Sequence, residues 1–321
     1  MRPFSVFPLQ ILQGGNLPGI VFDSSLDGGI DQVLALALLF GLEGKRQIRV
    51  GSVSVSRNNL NTAAFLDLVC RFYRGDASGD FPGRNALPVG MFADGPANAA
   101  VDPMLQGALG KPAYRRDIAK PNDTADPVAL IRNALSAYPD GTAAMILAGP
   151  PANLLNLIAL ADGRRWVEKK ARVLAIAAGR FDNPQPDPVV KNDVKGFRKL
   201  LADWPGQIVF AGAELGDALF PGASIDTDFA WAPHHPVADA YRAYKPMPYD
   251  APTRAMAAVL YAAGADQGCF RVSEPGIVTV LDDGRTQFTA SAKGNHRYLI
   301  LDPQQRQRVT ETYVTLSSAQ P

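Results

Sequence analysis

A short apolar run, Gly19-Ile20-Val21-Phe22, ends at Asp23, and this constrains the fold more than any other feature of the chain. Such runs are typical of strands buried inside parallel sheets. After a glycine-containing loop, residues 30–42 are apolar on nearly every face of a predicted helix. Residues 48–55 predict a second strand and residues 58–73 a second helix. This alternation predicts an α/β fold with a mostly parallel central sheet flanked by helices.

The same alternation returns further along the chain. Strands are predicted at residues 143–148, 172–177 and 207–211, and helices at 127–137, 151–160, 193–203, 237–244 and 252–263. From residue 270 onward, segments at 278–280, 286–289 and 297–301 with an Asp283-Gly284 turn predict a small antiparallel β element. We expect a single domain over residues 1–321, with a core at 19–263 and a C-terminal β/helical appendage at 264–321.

Composition and charge exclude several classes of protein. The 321 residues are 47% hydrophobic and 20% charged, which is ordinary for a globular protein and unlike disordered, collagen-like or coiled-coil chains. Lys and Arg number 32 against 31 Asp and Glu, so the net charge of +1 argues against nucleic acid or an anionic membrane as the main partner. Two cysteines and three histidines are too few for a disulfide framework or a histidine-rich metal site.

The beginning of the chain bears on localisation. Residues 1–19 hold one basic residue and three prolines, without a continuous apolar region or a small-residue cleavage site, so we predict an extended arm rather than a signal peptide. No apolar run reaches the roughly 18–20 residues of a membrane span. We expect a cytoplasmic protein, and a signal segment trimmed from the chain is left open.

Polar residues follow several of the predicted strands. In open parallel sheets, ligands bind beyond the carboxyl ends of the strands. The segments at this edge are 23–32, 54–59, 149–153 and 178–182, and a later turn supplies one more carboxylate. We expect five side chains to surround one cleft there: Asp23, Asp31, Asn58, Asn153 and Asp250.

These segments resemble the inosine–uridine-preferring nucleoside hydrolase family. That family opens with a strand and an Asp-rich cluster ahead of an Ala-Leu helix, which matches residues 23–36. Its other motifs match in chain order: a loop ending in Asn at 54–58, a Gly-Pro loop ending in Asn at 148–153, a strand end at Ala178-Gly179 and an Asp-Pro loop at Asp250-Ala251-Pro252. The correspondence covers residues 19–263 and implies that family's fold.

The resemblance also implies hydrolysis of the N-glycosidic bond of ribonucleosides. In that family a calcium ion held by carboxylates and a backbone carbonyl orients the ribose diol and lowers the pKa of a bound water, while an Asp takes the proton. Carried over residue by residue, the calcium ligands are Asp23, Gln32, the Ala152 carbonyl and Asp250. The catalytic residues are Asp27 and Asp31, and the ribose contacts are Asp31, Asn58, Asn153 and Asp187, with Asn192 as a substitute for a missing asparagine.

The chain departs from the family pattern at positions that supply calcium ligands and the catalytic base in that family. Gln32 replaces a calcium-binding carboxylate, so we expect calcium to bind weakly or not at all. The family motif can be aligned with this chain in two ways, and the two alignments give different residues at the position of the general base. If Asp23 stands at the end of the first strand, Ser25 occupies the base's position, whereas the spacing to Asp31 makes Asp27 the base. We place Asp23 at the strand end because the apolar run Ile20-Val21-Phe22 ends there.

Some of the candidate residues can have purely structural roles, and more than one function is compatible with the sequence. Asn58 and Asn153 are good helix N-caps, and Asp27-Gly28 is a common turn pair. The chain is interpreted as a nucleoside N-ribohydrolase with weakened activity or as a non-catalytic relative that binds a nucleoside or riboside. A haloacid-dehalogenase-like phosphatase is disfavoured because Ser25 replaces its second Asp. The expected partner is a small-molecule nucleoside or riboside, with no nucleic acid or membrane, and a homo-oligomer is left open.

Overall fold

The structure is a computed structural model that describes residues 17–75 and 87–321. Its strands are β1 (Gly19–Ser24), β2 (Arg49–Val55), β3 (Val89–Met91), β4 (Ala143–Ala148), β5 (Ala171–Ile176), β6 (Ile208–Phe210), β7 (Arg271–Val272), β8 (Gly276–Val280), β9 (Thr286–Ala290) and β10 (His296–Ile300). Its helices are α1 (Ile30–Gly44), α2 (Leu60–Arg74), α3 (Pro103–Leu109), α4 (Pro127–Ala137), α5 (Ala152–Ala159), α6 (Gly163–Lys170), α7 (Pro188–Lys191), α8 (Val194–Asp203), α9 (Ser224–Thr227), α10 (Pro236–Tyr244), α11 (Arg254–Ala263) and α12 (Arg306–Ser317).

One mixed sheet joins the described strands in the order β3-β2-β1-β4-β5-β6-β10-β8-β9, with β7 beside β10. From β3 to β6 in this order every neighbouring pair is parallel, and β10 pairs parallel with β6. The remaining pairs, which involve β7, β8 and β9, are antiparallel. The predicted fold class, a mostly parallel α/β sheet with a small C-terminal β element, is therefore confirmed.

Helices cover both faces of the sheet because successive strand residues point to opposite sides. In β1, Ile20 and Phe22 belong to the core that contains α1 and α11, whereas Val21 belongs to the core that contains α4, α5 and α8. Helix α1 contacts α10, α11 and α12, and its residues from Ile30 to Glu43 are buried. A helix enclosed in this way needs apolar side chains on all faces, which explains its composition.

Several boundaries differ from the prediction for identifiable reasons. β1 continues through Ser24, which stays in register with Val55 and Ala148 on the two neighbouring strands. Helix α2 begins at Leu60 because the Asn59 side chain caps it. The sequence does not predict β3, which has only three residues, or α6, which is mostly charged. No helix in the two described stretches has the length and apolar character that crossing a membrane requires.

Candidate functional site

Asp23 lies inside β1, where it is fully buried. The parallel register places it opposite Ser54, and its Oδ1 accepts hydrogen bonds from Ser54 Oγ at 2.6 Å and Asn153 Nδ2 at 2.8 Å. Its Oδ2 has no hydrogen-bond partner among the described residues. Burial raises the pKa of this carboxyl to about 7, against the lowering effect of the two hydrogen bonds. The first strand is predicted to end at Asp23 and continues by one residue, to Ser24. Hydrogen bonds from Ser54 and Asn153 allow the Asp23 carboxyl to lie within the sheet.

Neutral groups connect Gln32 to the end of β1. Ser24 Oγ lies 3.0 Å from Gln32 Oε1 and 3.2 Å from the Ala148 carbonyl, and it accepts the Leu26 amide at 3.2 Å. The Ser25 amide donates to the same Ala148 carbonyl at 3.1 Å. Ser24, Ser25 and Gln32 are all buried. The single Ser24 hydroxyl proton is within reach of both Gln32 Oε1 and the Ala148 carbonyl, and none of these three groups carries a formal charge.

The loops after β1, β2 and β4 pack directly against each other above this network. A Cβ placed on Gly149 would lie 2.4 Å from Ser56 Oγ and 2.7 Å from the Ser25 backbone nitrogen. Both distances are shorter than any real Cβ contact, so glycine is required where the three loops meet. The carboxyl ends of the central strands are therefore closed over Asp23 in this structure.

Asp31 joins the start of α1 to the start of α11. Its Oδ2 accepts the Ala255 amide at 3.0 Å, and burial raises its pKa while the charge of Arg254 opposes that shift. Arg254 in turn forms an ion pair with Asp187 at 2.6 Å, and the Asp187 side chain is fully buried. Asp187 Oδ1 also accepts the Val190 amide at 3.0 Å, which caps α7. Asp31 and Asp187 thus share the positive charge of Arg254.

The other predicted polar residues lie nearer the surface. Asp27 forms an ion pair with Arg57 at 2.7 Å, and its side chain is 45% exposed. Asn58 donates to the carbonyls of Ala93 and Gly95 at 3.0 and 3.2 Å, so it holds the loop after β3 and does not cap α2. Asn192 is exposed at the end of α7.

The two remaining predicted calcium ligands form no hydrogen bond with Asp23, whose partners among the described residues are Ser54 and Asn153. Asp250 is exposed and its Oδ1 accepts the Gly222 amide at 2.9 Å. No hydrogen bond or ion pair between described residues joins it to the Asp23 region. Ala152 is the first residue of α5, so its carbonyl accepts within the helix. The carbonyl that reaches the buried network belongs to Ala148 instead.

Calcium does not fit the residues gathered here. The ion takes six to eight oxygen ligands and depends on carboxylate charge. Within residues 17–75 and 87–321, no three His, Cys, Asp or Glu side chains stand close enough to hold a metal. The side chain that contacts Gln32 Oε1 is the neutral hydroxyl of Ser24, which also lies within hydrogen-bond distance of the Ala148 carbonyl. Weak or absent calcium binding stays a prediction, which this donor set supports.

An open pocket lies at the same edge of the sheet, beside the closed network. It measures about 460 Å³, which is within the usual range for small-molecule sites. The loop after β3, the turn ahead of α4 and the first turns of α5 form its walls. Asn153 belongs to the wall of this pocket, although it is fully buried, and its Nδ2 donates to Asp23. Among the predicted site residues, it is the one that belongs both to the pocket wall and to the surroundings of Asp23.

Sequence reasoning missed three contributors to this region. Ser54 becomes a partner of Asp23 only through the register between two strands, and the Ala148 carbonyl through backbone geometry. Arg254 offered a signal, since it is a lone charge at the start of the otherwise apolar helix α11. The sequence also did not predict that the segments forming the pocket walls lie next to each other.

Comparison with known proteins places the fold. No protein-family model matches the chain, and no curated protein matches it. A solved plant nucleoside hydrolase is similar in structure, with a TM-score of 0.68 and 16% identity over 94% of this chain and 99% of that one. The inosine-uridine preferring nucleoside hydrolase of Bacillus anthracis gives a TM-score of 0.62 and 14% identity over 94% of this chain and 100% of its own.

A third similar structure is not described as a hydrolase. The type III effector protein XopQ, solved in complex with adenosine diphosphate ribose, gives a TM-score of 0.58 and 12% identity over 95% of this chain and 94% of that one. Identities this low show a shared fold alone. The chain has the nucleoside hydrolase fold, and that fold also occurs in effector proteins.

Proposed function

We propose that this protein binds a ribosylated small molecule at the carboxyl edge of its sheet and hydrolyses nucleosides such as inosine or uridine poorly or not at all. One observation carries the proposal. Where the family's chemistry needs a charged calcium site, this chain has a closed, neutral network of Ser24, Gln32 and the Ala148 carbonyl.

The loss of activity follows from the groups that would make the nucleophile. A positioned general base contributes about 10²–10⁴-fold to a rate, and a metal adds several kcal/mol of transition-state stabilisation. Asp23 has a pKa near that of a useful base, at about 7, but it is enclosed. Asp27 is accessible, but it is engaged by Arg57 at 2.7 Å. Asp31, the other predicted catalytic carboxylate, is buried and accepts the Ala255 amide at 3.0 Å.

The proposal that the protein binds a ribosylated compound is supported by other observations. The similar structures include nucleoside hydrolases and an effector in complex with adenosine diphosphate ribose, all of which concern ribosylated compounds. The pocket beside Asn153 offers carboxylate and carboxamide groups, which suit sugar hydroxyls, and Phe92, which gives an apolar surface. A riboside has both kinds of surface.

Ribose release and ligand binding test the two halves of the proposal. We expect ribose release from inosine and uridine to stay near the uncatalysed rate, with and without calcium or a chelator, and calorimetry to show no tight calcium binding. Calorimetric titration with the same nucleosides should show binding, and Asn156→Ala, at an exposed position of the pocket wall, should weaken it.

Three results would contradict the proposal. Robust turnover that Asp27→Ala abolishes would restore a working hydrolase with Asp27 as its base. Robust turnover that is unaffected by Asp27→Ala and lost with a chelator would mean that the catalytic site lies elsewhere on the chain. Absence of binding by every ribosylated compound would refute the binding half.

A further inference from the structure

Arg254 is a cation at the start of an otherwise apolar helix, α11. Its Nη1 forms an ion pair with Asp187 Oδ2 at 2.6 Å, and both side chains are largely buried. Asp187 is also held from other directions, because its Oδ1 accepts the Val190 amide at 3.0 Å and its own amide donates to the Gly284 carbonyl at 3.2 Å. The guanidinium therefore lies beside a carboxylate that is fixed in place.

The same positive charge acts on a second buried carboxylate, that of Asp31 in the first turn of α1. Asp31 Oδ2 accepts the amide of Ala255, the residue that follows Arg254, at 3.0 Å. It thus joins the N-termini of α1 and α11, and neither helix has a side-chain cap from its own N-cap residue. Two carboxylates from separate parts of the chain therefore share one cation.

The charges of this cluster cancel. Asp31 and Asp187 bring two negative charges, and Arg254 brings one positive charge. The N-termini of α1 and α11, which both adjoin Asp31, are each equivalent to about half a positive charge. A divalent cation added here would leave two positive charges in excess, in a buried region where solvent screens repulsion weakly. The cluster is electrically complete without such an ion.

We propose that Arg254 takes the place of a divalent ion in this chain and holds Asp31 and Asp187 together at the carboxyl edge of the sheet. The resemblance to nucleoside hydrolases implies calcium at this edge. The residues here disagree with calcium because Gln32 replaces a ligand and because a positive charge is fixed among the remaining acidic side chains. The inference rests on the calcium half of the proposed function and gives a second cause for it.

Thermal unfolding of the full chain with and without calcium tests the inference. The Tm of the native chain should be the same in calcium chloride, in a chelator and in sodium chloride of equal ionic strength. Arg254→Met removes the cation and leaves two carboxylates, which should form a weak calcium site with a Kd on the order of 1 mM. Calcium at about ten times that concentration should raise the Tm of this variant by about 2–4 °C relative to sodium chloride.

Arg254→Lys and Arg74→Met are the matched controls. Arg254→Lys keeps a positive charge at the position, so its Tm should stay insensitive to calcium. Arg74 pairs with Glu43 at 2.6 Å, and these side chains are 12% and 9% exposed, against 13% and 0% for Arg254 and Asp187. Removing Arg74 leaves one carboxylate, which also accepts the Val50 amide at 2.8 Å. Calcium should therefore not raise the Tm of Arg74→Met.

The outcomes separate this inference from the proposed function. If calcium changes the Tm of neither the native chain nor Arg254→Met, the inference is refuted while the absence of calcium binding stands. Equal stabilisation of Arg74→Met would also refute it, since any uncovered buried carboxylate would then suffice. If calcium raises the Tm of the native chain, the calcium half of the proposed function and this inference fail together.

A second measurement applies if Arg254→Met aggregates. The soluble fraction recovered on refolding in calcium chloride is then compared with that in sodium chloride of equal ionic strength. We expect a larger fraction in calcium for Arg254→Met and equal fractions for Arg74→Met. Equal fractions for Arg254→Met would refute the inference.

Discussion

Asp23 is a carboxylic acid within a parallel β-sheet, where an apolar residue is usual. Ser54 and Asn153 each donate to one of its oxygens, and the other oxygen lacks a partner among the described residues. Desolvation outweighs the two hydrogen bonds and raises the pKa to about 7. The protonation state of this group therefore changes within the ordinary working range of pH.

This raised pKa predicts that stability falls as pH increases. The folded state holds the proton more tightly than the unfolded chain, so the stabilisation is complete below about pH 4 and is lost as pH rises to about 7. Asp23→Asn mimics the neutral carboxyl and lacks this titration. Relative to that variant, the native chain should lose up to about 4 kcal/mol of unfolding free energy between about pH 4 and pH 8.

Urea denaturation over that pH range measures the difference. Asp140→Asn serves as the control, because the pKa of this exposed carboxyl is lowered by Lys170 and its own effect is confined to acid conditions. Parallel curves for the native chain and Asp23→Asn would show that Asp23 is ionised throughout.

Arg254 is the second residue whose charge can be tested. Removing one partner of a buried ion pair leaves an uncompensated charge and costs about 3–5 kcal/mol. Arg254→Met should therefore destabilise the fold by this amount, because Asp187 is fully buried. Adding Asp187→Asn should recover most of the loss. Unfolding free energies of the two single variants and the double variant give the coupling.

The surface pair of Arg271 and Asp302 provides the comparison. Its side chains are 60% and 35% exposed, so Arg271→Met should cost less than about 1 kcal/mol. A loss for Arg254→Met as small as this would mean that solvent or another group compensates Asp187.

At the scale of elements, α2 depends on a cap that is one residue away from the predicted helix start. Asn59 Oδ1 accepts the amides of Asn61 and Thr62 at 3.0 and 3.2 Å. Asn59→Ala should lower the unfolding free energy by about 1 kcal/mol. Asn58→Ala should cost less, because Asn58 makes exposed contacts to the loop after β3. Equal costs measured by urea denaturation would contradict this assignment of the cap.

The helices and strands could be predicted where local sequence determines them, whereas contacts between distant elements could not. The sequence predicts helix α4 with its observed bounds because Asp126 and Pro127 mark its start. It predicts β4 because the residues of that strand are apolar throughout. The polar residues after β1 and β4 were recognised as site candidates from their position alone. Their partners were not, since the contact of Asp23 with Ser54 follows from strand register and that of Asp31 with Ala255 from packing between distant helices.

At the scale of the whole molecule, the C-terminal segment completes the main sheet. β10 lies between β6 and β8, and α12 packs against α1. A Cβ on Gly41 of α1 would lie 1.9 Å from the Leu316 carbonyl oxygen, so the two helices approach closely. Residues after 263 therefore cover one edge of the parallel sheet and one face of its most apolar helix.

Truncation after residue 263 tests this dependence. The shortened chain loses the strand that pairs with β6 and the helix that covers α1, so we expect it to aggregate or to lack cooperative unfolding. Size-exclusion chromatography and circular dichroism measure both properties. Co-expression with residues 264–321 as a separate chain should restore a soluble complex. A monomeric truncated chain with a sharp thermal transition would contradict the expectation.

The position of β10 also fixes an order of events during protein synthesis. A ribosome completes β6 nearly ninety residues before β10, its neighbour in the sheet, is made. Through that interval the nascent chain presents an unpaired strand edge, which is a site for wrong pairing with other chains. Protein output in the cell should therefore depend on how quickly the last segment is translated and on which chaperones meet the chain before it arrives.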